Sequence, residues 1–406
     1  MTDYKALYAE KLISAEELAE QVESGWILGM DTAPSQAPAI MNAIAARVKS
    51  SDIKGVQVQT LLDAYPFEFY TDPDMFGKMT GYSWFSSGYA RKAINGGWAD
   101  LLPTYYRDIP RHIRAEYEYD AFCIEVSPMD SHGYFSLALN GSYAEAMIDK
   151  AKRVFVEVNE NQPRCLCGSQ LHVSQIDAIV EYNHELPVLP PVAIDEVSQT
   201  IGNLIAEQIP DGACIQLGIG AIPDATGMAL KSKHDLGIHT EMFTDSMVEL
   251  IECGAVNNSK KQIHRGKSVT TFAYGSKRIY DYVDDNPAIE ILPVDYVNNP
   301  EVICKNDNMI SINAAIEVDF FGQVCAESVG TKHMSGSGGQ IDFVRGACQS
   351  KGGKSFIAFT STAKGGTISK IKPILTPGAV CTTSKNDVDY IVTEYGIAHM
   401  RGRSLG

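Results

Sequence analysis

A glycine loop and a lone carboxylate follow one another closely in the second half of this chain. The loop, residues 218–222, comes after an apolar run from Ala213 to Leu217 and before Pro223. An apolar run, a glycine turn and an early proline predict a buried strand, a loop and a helix. Backbone N–H groups in such a loop can bind an anion at the helix N-terminus, where the helix dipole favours negative charge.

The carboxylate is Glu241, which lies in a segment that is otherwise mostly apolar and is preceded by Gly237. Burying one carboxylate among such side chains is costly without a purpose. The pattern therefore favours Glu241 as a nucleophile whose substrate the loop binds. Two other interpretations stay open. A short glycine loop after a strand is a weak signal, and an acidic residue here could simply cap a following helix, residues 242–253.

The segments around these residues alternate between strand and helix patterns, which favours two α/β domains with parallel sheets. Three prolines, Pro187, Pro190 and Pro191, interrupt the chain near its middle. Such a run cannot continue a helix or a central strand and is typical of a linker. We therefore predict an N-terminal domain over residues 1–190 and a C-terminal domain over residues 191–406.

The two halves carry matching patterns in the same order, which suggests related domains. Gly25 precedes a strand and a proline-started helix, as Gly212 does. The Glu125-Val126 pair recurs as Glu317-Val318. Residues 174–180 recur as residues 386–392. Each match is weak alone. The number of residues between the two members of a match differs from one match to the next, which insertions in loops would explain.

Composition excludes several classes of partner. The 406 residues carry a formal net charge of −16, which argues against a nucleic-acid or anionic-membrane surface. No apolar run approaches membrane-spanning length, and the polar N-terminus does not resemble a signal peptide. The nine cysteines are dispersed, with Cys165 and Cys167 as the only close pair. That spacing predicts reduced cytoplasmic thiols and no metal site.

Several segments resemble the acetyl-CoA hydrolase/transferase family, and within it the 4-hydroxybutyrate and butyryl-CoA:acetate CoA-transferases. They are the loop at 218–224, the segment 237–242 with Glu241, and the segments 126–133, 157–161, 335–343 and 392–396. These motifs are long, occur in one order and span nearly the whole chain. The resemblance implies two related open α/β domains with mostly parallel sheets and an active site at their interface.

The resemblance also implies roles for individual residues. Glu241 would carry a covalent CoA thioester. The family's CoA contacts fall on Gly218, Ile219, Gly220, Ala221, Ile222, Ile316 and Gly339. The glycine turn at Gly338 and Gly339 agrees with this, because its backbone N–H groups could act as oxyanion donors. On composition alone, the same turn could equally be a flexible surface turn.

The expected activity is transfer of CoA from butyryl-CoA or 4-hydroxybutyryl-CoA to acetate or a similar carboxylate. CoA is then a substrate, no metal is required, and a cytoplasmic homo-oligomer is expected. A short-chain acyl-CoA hydrolase using Glu241 is one alternative, and a non-catalytic nucleotide- or sugar-phosphate-binding protein is another. Asp130 and His132 could support catalysis, although an Asx turn explains Asp130 equally well. His239, two residues before Glu241, could tune that carboxylate. Residues two apart on a strand face the same way, so simple proximity is the alternative.

Overall fold

The structure, a computed structural model, describes residues 3–166, 169–190 and 192–404. It divides into two compact units. The first unit runs to Thr104 and adds Asp108–Val188 and Phe272–Asp295, whereas the second consists of Tyr105–Arg107, Leu189–Thr271 and the chain from Tyr296 onward. The predicted boundary near residue 190 lies beside the break at Val188. Residues 272–295, placed in the C-terminal half by the sequence, belong to the first unit.

The α-helices are α1 (Tyr4–Lys11), α2 (Ala15–Ala19), α3 (Pro38–Ser50), α4 (Glu68–Thr71), α5 (Ala90–Gly96), α6 (Ile109–Glu116), α7 (Ala144–Lys150), α8 (Glu196–Glu207), α9 (Ala221–Ala229), α10 (Asp245–Glu252), α11 (Lys277–Val283), α12 (Val294–Val297), α13 (Pro300–Ile303) and α14 (Gln340–Gln349). Within the described ranges, none of these helices has the length and apolar character needed to cross a membrane.

The strands of the first half are β1 (Ile27–Met30), β2 (Val56–Thr60), β3 (Met79–Ser83), β4 (Asp100–Leu101), β5 (Ala121–Val126), β6 (Tyr134–Ser136), β7 (Val154–Val158), β8 (Gln170–His172) and β9 (Ala178–Glu181). Those of the second half are β10 (Cys214–Leu217), β11 (Gly237–Ile238), β12 (Met242–Phe243), β13 (Ser268–Thr270), β14 (Phe272–Ala273), β15 (Ile289–Ile291), β16 (Met309–Ala314), β17 (Glu317–Asp319), β18 (Val324–Cys325), β19 (Ser328–Val329), β20 (Lys332–His333), β21 (Lys354–Ala358), β22 (Thr362–Ala363), β23 (Ile368–Ser369), β24 (Ile371–Lys372), β25 (Tyr390–Thr393) and β26 (Gly396–His399).

The first unit is built on a seven-stranded sheet in the order β4-β3-β2-β1-β5-β7-β9. All its strand pairs are parallel. The strands β5 and β7 are buried along their whole length, as expected for a parallel sheet covered on both faces. Helix α3 packs residues such as Ile40, Met41 and Ile44 into the core. Helix α2 begins with a capping box formed by Ser14 and Glu17.

The second unit is built on a six-stranded sheet in the order β11-β10-β16-β21-β25-β26. Its strands are parallel except β26, which pairs antiparallel with β25. A core beside this sheet includes Val344, Ile357 and Phe359. The expectation of two related α/β domains with mostly parallel sheets is therefore confirmed.

The strand order shows how the halves correspond. Strand β1 lies between β2 and β5, and β10 lies between β11 and β16, so the strands after Gly25 and Gly212 hold equivalent positions. The match of residues 174–180 with 386–392 also agrees with the structure. Asp177 accepts a hydrogen bond from the Val154 N–H at 2.7 Å, and Asp389 accepts one from the Ser355 N–H at 3.1 Å. Each aspartate thereby ties the start of its strand to the neighbouring strand.

The third proposed match, between Glu125 and Glu317, is wrong. Glu125 lies on β5 in the main sheet of the first unit, whereas Glu317 begins β17 in a separate three-stranded sheet with β18 and β24. Strand β16 takes the position in the second sheet that β5 takes in the first. The Glu-Val pair therefore recurs in sequence without occupying an equivalent place, because the chain inserts small sheets after β16.

The proline segment forms no helix or strand between β9 and α8 in its described residues, as the linker interpretation predicts. Pro191 lies outside the described residues. The cysteines described are free thiols, and Cys167 of the predicted close pair also lies outside the described residues.

Candidate active site

Three loops of the second unit lie at one edge of its sheet. The glycine loop follows β10, Glu241 follows β11, and Ile316 follows β16. These three strands are neighbours and run parallel, so their carboxyl ends meet at the same edge. Strand β10 is also the point where the strand order reverses, with β11 on one side and β16 on the other. Open parallel sheets bind ligands in the crevice at such a point.

Glu241 is partly buried at this edge. Its carboxylate oxygen Oε2 accepts a hydrogen bond of 2.7 Å from Asn298 Nδ2, and the carboxylate also accepts one from the Gly339 N–H. Its backbone carbonyl accepts hydrogen bonds from the Thr271 N–H at 3.0 Å and from Thr270 Oγ1 at 2.9 Å. Both the position and the orientation of the carboxylate are therefore set by the surrounding chain.

Burial raises the pKa of Glu241 to about 7, against the lowering effect of the Asn298 and Gly339 hydrogen bonds. Desolvation penalises the charged carboxylate, whereas N–H donors stabilise it. A carboxyl group with a pKa near neutrality is a better nucleophile than an ordinary glutamate and is still partly ionised at pH 7. A perturbed group of this kind marks a candidate functional site.

Gly339 lies against the Glu241 carboxylate. A Cβ atom built on Gly339 would overlap both the carboxylate and the Asn298 amide. Gly339 is the N-cap residue of α14, with a φ of −97° that other residues adopt freely. The close approach of backbone to carboxylate, and not an unusual conformation, therefore requires glycine at this position.

Asn298 is the residue of this site that the sequence analysis missed. It follows α12, and its side chain is fully buried with Oδ1 unpartnered. A buried side-chain amide with an unpartnered oxygen is uncommon, because most buried polar atoms are hydrogen-bonded. No sequence motif surrounds Asn298, and only the fold brings it to Glu241.

His239 is fully buried, and burial lowers its pKa to about 3. The imidazole is therefore neutral, and its Nε2 lies 2.8 Å from the Val297 carbonyl oxygen. A neutral ring must donate its Nε2–H to this acceptor. His239 thus holds the backbone next to Asn298 by a hydrogen bond, and among the described residues it makes no hydrogen bond to the Glu241 carboxylate. Its predicted influence on Glu241 is therefore positional.

The glycine loop has the shape that the sequence predicts. The Gly218 N–H donates to the Ile312 carbonyl at 2.8 Å, which ties the loop to β16. Gly220 caps α9 with a φ of 114°, a conformation that favours glycine. No atom lies within 4 Å of a Cβ built on Gly220, and the Ile219 side chain is more than half exposed. The loop therefore leaves space next to the N-terminus of α9.

The remaining predicted contacts hold different positions around this edge. Ile316 is partly buried, and its N–H donates to the Cys325 carbonyl at 2.8 Å, so its backbone amide is already used. Gly338 has a φ of 53° and directly precedes Gly339. The turn at 338–339 is thus a backbone turn fixed next to Glu241, which agrees with the oxyanion-donor interpretation for Gly339.

Asp130 and His132 lie in the first unit. Asp130 Oδ1 accepts hydrogen bonds from the N–H groups of His132 at 2.8 Å and Tyr134 at 2.9 Å. These bonds form the Asx-type turn that was the alternative explanation of Asp130. The turn accounts for Asp130 without a catalytic role.

The fold and the site define a class of protein: an α/β enzyme with a partly buried carboxylate held by an amide and a backbone N–H beside a glycine loop. Comparison with known proteins agrees. Residues 1–190 match the acetyl-CoA hydrolase/transferase N-terminal domain, and residues 275–406 match the corresponding C-terminal domain. The chain belongs to the acetyl-CoA hydrolase/transferase family, and it is a CoA-transferase.

Individual relatives cover almost the whole chain. A succinyl-CoA:cyclohexane-1-carboxylate CoA transferase of Geobacter metallireducens is 46% identical over 99% of this chain and 91% of its own length. A 4-hydroxybutyrate coenzyme A transferase of Clostridium kluyveri is 44% identical over 99% of this chain and 94% of its own. The crystal structure of RipA from Yersinia pestis superposes with a TM-score of 0.94 at 38% identity, covering 99% of this chain and 93% of that one.

Proposed function

We propose that this CoA-transferase moves CoA from a short-chain acyl-CoA to a free carboxylate through a glutamyl-CoA thioester on Glu241. The observation that carries the proposal is the Glu241 carboxylate, held by Asn298 and the Gly339 N–H with a pKa raised to about 7. A carboxylate is the nucleophile that this exchange needs, because it forms an activated acyl group without ATP or a metal.

The exchange proceeds in balanced steps. The ionised Glu241 attacks the thioester carbonyl of the acyl-CoA, which forms an acyl–glutamyl anhydride and releases the CoA thiolate. The thiolate attacks the glutamyl carbonyl of the anhydride, which forms the glutamyl-CoA thioester and releases the acyl group as a free carboxylate. The acceptor carboxylate then reverses both steps, and the kinetics are ping-pong.

Asn298 and Gly339 have a second use in these steps. When either carbonyl of the anhydride, or that of the thioester, is attacked, an oxygen gains negative charge. The Asn298 Nδ2 and the Gly339 N–H already point at the Glu241 carboxylate. Fixed donors aimed at developing charge lower the barrier without reorganising during the reaction. We therefore assign these two groups to stabilise the oxyanion on the glutamyl carbonyl.

The CoA moiety is proposed to bind at the edge that carries Glu241. Gly218, Ile219, Gly220, Ala221 and Ile222 would contact it, together with Ile316 and the turn of Gly338 and Gly339. Support comes from the open space at Gly220 and from its place at the N-terminus of α9, where the dipole favours the phosphates of CoA.

The proposed substrates are butyryl-CoA or 4-hydroxybutyryl-CoA as donor and acetate or a similar carboxylate as acceptor. The 4-hydroxybutyrate coenzyme A transferase among the relatives supports this choice, whereas the succinyl-CoA:cyclohexane-1-carboxylate relative shows that acceptors differ within the family. We place the enzyme in the cytoplasm as a homo-oligomer that binds neither nucleic acid nor membrane. The net charge of −16 and the free thiols support that placement.

Transfer is separated from hydrolysis by following the thioester. Butyryl-CoA is mixed with the enzyme, with and without acetate, while acetyl-CoA and free thiol are both measured. A transferase forms acetyl-CoA in step with butyrate and keeps total thioester constant. Release of free thiol at the same rate with and without acetate would instead establish the hydrolase, in which water resolves the same intermediate. A panel of succinate, 4-hydroxybutyrate and cyclohexane carboxylate then ranks the acceptors.

Asn298→Ala is expected to change both rate and pH dependence. The rate constant kcat/KM for acyl-CoA should rise with pH as Glu241 loses its proton, with a midpoint near pH 7 in the native enzyme. Because the Asn298 hydrogen bond lowers the pKa of Glu241, its removal should move that midpoint to higher pH. Loss of one oxyanion donor should also lower kcat by about 10²-fold.

The measurement is a pH profile of both variants, with Asn257→Ala as the matched control. Asn257 is exposed and its amide bonds Asp235, away from Glu241. The control should keep the native rate and midpoint. An Asn298→Ala enzyme with native rate and native midpoint would remove this residue from the site.

A further inference from the structure

Two buried carboxylates lie side by side in the first unit. Glu125 on β5 and Glu157 on β7 are direct partners in the parallel register, and both side chains are fully buried. Partners in a sheet project their side chains to the same face. Like charges in that arrangement destabilise a sheet, and the cost is greater where water is excluded. The pair therefore needs either a compensating positive charge or a proton on one carboxyl group.

A histidine completes the group. His184 lies after β9, the next strand of the same sheet, and its Nε2 is 2.6 Å from Glu125 Oε2 and 3.9 Å from Glu157 Oε1. Its other ring nitrogen, Nδ1, lies 2.9 Å from the Glu185 carbonyl oxygen. A histidine that donates Nδ1–H to a carbonyl presents the Nε2 lone pair, which is how metal-binding histidines are oriented.

Further hydrogen bonds orient the carboxylates of Glu125 and Glu157. Glu125 Oε1 accepts hydrogen bonds from Asn159 Nδ2 at 3.2 Å and from Gln162 Nε2 at 2.6 Å. Glu157 Oε2 accepts one from the Ile40 N–H at 2.9 Å. Glu157 Oε1, which faces the histidine, is buried and has no hydrogen-bond partner among the residues that the structure describes. Glu125, Glu157 and His184 thus each direct one side-chain atom toward the same place.

One ligand atom from each of Glu125, Glu157 and His184 lies within 4.8 Å of the other two. Among the residues that the structure describes, no lysine or arginine forms an ion pair with either carboxylate. We propose that Glu125, Glu157 and His184 form a binding site for one divalent transition-metal ion of the zinc or manganese type.

The donor set fits such an ion. Two carboxylates and a neutral imidazole supply two negative charges, and imidazole with carboxylate suits transition metals more than Ca²⁺ or Mg²⁺. Zinc bonds to these atoms are about 2.0–2.2 Å long, so the gap between Glu125 Oε2 and His184 Nε2 must open to about 3 Å. Glu157 Oε1, which lies 3.9 Å from His184 Nε2, must move closer as the 2.6 Å gap opens, so metal binding needs small shifts of two side chains.

The ligand atoms of this group also bind protons, which compete with a metal ion. Burial and the Glu125 charge raise the pKa of Glu157 to about 8. Burial alone would lower the pKa of His184, but the Glu125 carboxylate raises it. Binding of a metal ion requires ionised carboxylates and a neutral imidazole, as is general for sites with titratable ligands. A protonated His184 shared between the carboxylates is the rival state.

The site goes beyond the proposed function, because none of its ligands belongs to the unit that carries Glu241. Its ligands come from β5, β7 and the segment after β9, three neighbouring parts of one sheet. An ion bound there ties these parts together and neutralises the buried charges. The proposed chemistry at Glu241 needs no metal, so acyl transfer and ion binding succeed or fail independently.

The test uses the full chain, treated with a chelator and then dialysed separately against Mn²⁺ and Zn²⁺ at micromolar concentration. Metal content is measured by mass spectrometry after removal of free ion. We expect about one ion per chain in the native protein and in Glu160→Gln, the matched control with an exposed carboxylate on the same segment. Glu157→Gln and His184→Gln should retain less than about one tenth as much.

Free thiols are a second possible ligand for Zn²⁺, and Co²⁺ distinguishes them. Bound Co²⁺ should show visible d–d bands without a thiolate charge-transfer band. A native protein that retains no ion, an equal content in Glu157→Gln, or a thiolate band would each overturn the proposal. The first of these results would establish the proton-sharing state. If Glu157→Gln does not fold, the native stoichiometry and the Co²⁺ spectrum decide.

Discussion

Glu241→Gln is expected to abolish CoA transfer while leaving CoA binding almost unchanged. The substitution keeps the size of the side chain and its contact with Asn298 but removes the charged oxygen that attacks the thioester. Loss of a covalent nucleophile should lower kcat by about 10⁴-fold or more. The measurement is steady-state transfer from butyryl-CoA to acetate, beside CoA affinity by calorimetry.

The covalent intermediate supplies an independent readout of the same prediction. Incubation of the native enzyme with acyl-CoA alone should add the mass of CoA to the peptide that contains Glu241. The Glu241→Gln peptide should show no such addition. The matched control is Glu252→Gln. Glu252 is exposed at the end of α10, and its substitution removes the same charge from the same unit.

Two results would contradict the assignment. Transfer by Glu241→Gln at a rate near the native one would show that another group is acylated. A CoA adduct on a different peptide of the native enzyme would identify that group. Equal loss of CoA affinity and of transfer rate would mean that Glu241→Gln disturbs CoA binding. Glu241→Asp, which keeps the charge and shortens the side chain, would then separate the loss of binding from the loss of the nucleophile.

The sequence predicted those features of this site that depend on local pattern. The strand, glycine loop and helix at residues 213–229 follow from an apolar run, two glycines and Pro223, and the structure has β10, the loop and α9 there. Glu241 was a candidate because a carboxylate stands in an apolar segment. Its place after β11, beside the loop after β10, follows from the parallel order of the strands.

Contacts between distant segments could not be predicted in this way. Asn298 reaches Glu241 across 57 positions in sequence, and no periodicity or motif marks it. The cluster of Glu125, Glu157 and His184 has the same origin, because register and strand order bring its members together. The sequence expectation of no metal site rested on cysteine spacing, and such spacings carry no information on a cluster that a sheet assembles.

The mistaken match of Glu125 with Glu317 shows the same limit. Two short patterns agreed in residue type, yet the insertion of β17 to β20 places Glu317 outside the main sheet. Glu317 instead bonds Lys372 and Thr376, an arrangement unlike the buried pair of Glu125 and Glu157. The match of Asp177 with Asp389 agrees with the structure, because each aspartate accepts a hydrogen bond from a backbone N–H of the neighbouring strand.

Gly339→Ala should lower transfer by about 10²-fold or more although it adds one methyl group. The new Cβ would overlap the Glu241 carboxylate and the Asn298 amide, so that one or both must move. A displacement near 1 Å at a reacting group costs about 10²-fold in rate. The φ of −97° at Gly339 suits alanine, so the fold itself should tolerate the change.

The measurement compares kcat, KM and the rate of CoA-adduct formation with thermal unfolding of the same preparation. Gly88→Ala is the matched control, because Gly88 is exposed and no atom lies within 4 Å of a Cβ built on it. Gly339→Val should lose more activity than Gly339→Ala, since its branches extend the overlap. A Gly339→Ala enzyme that forms the adduct at the native rate would show that the backbone at 339 neither positions nor stabilises the acylated Glu241. A large drop in unfolding temperature together with the lost rate would instead attribute the effect to the packing of α14. The rate of the Asn298→Ala enzyme would then decide whether the hydrogen-bond donors at Glu241 contribute to the chemistry.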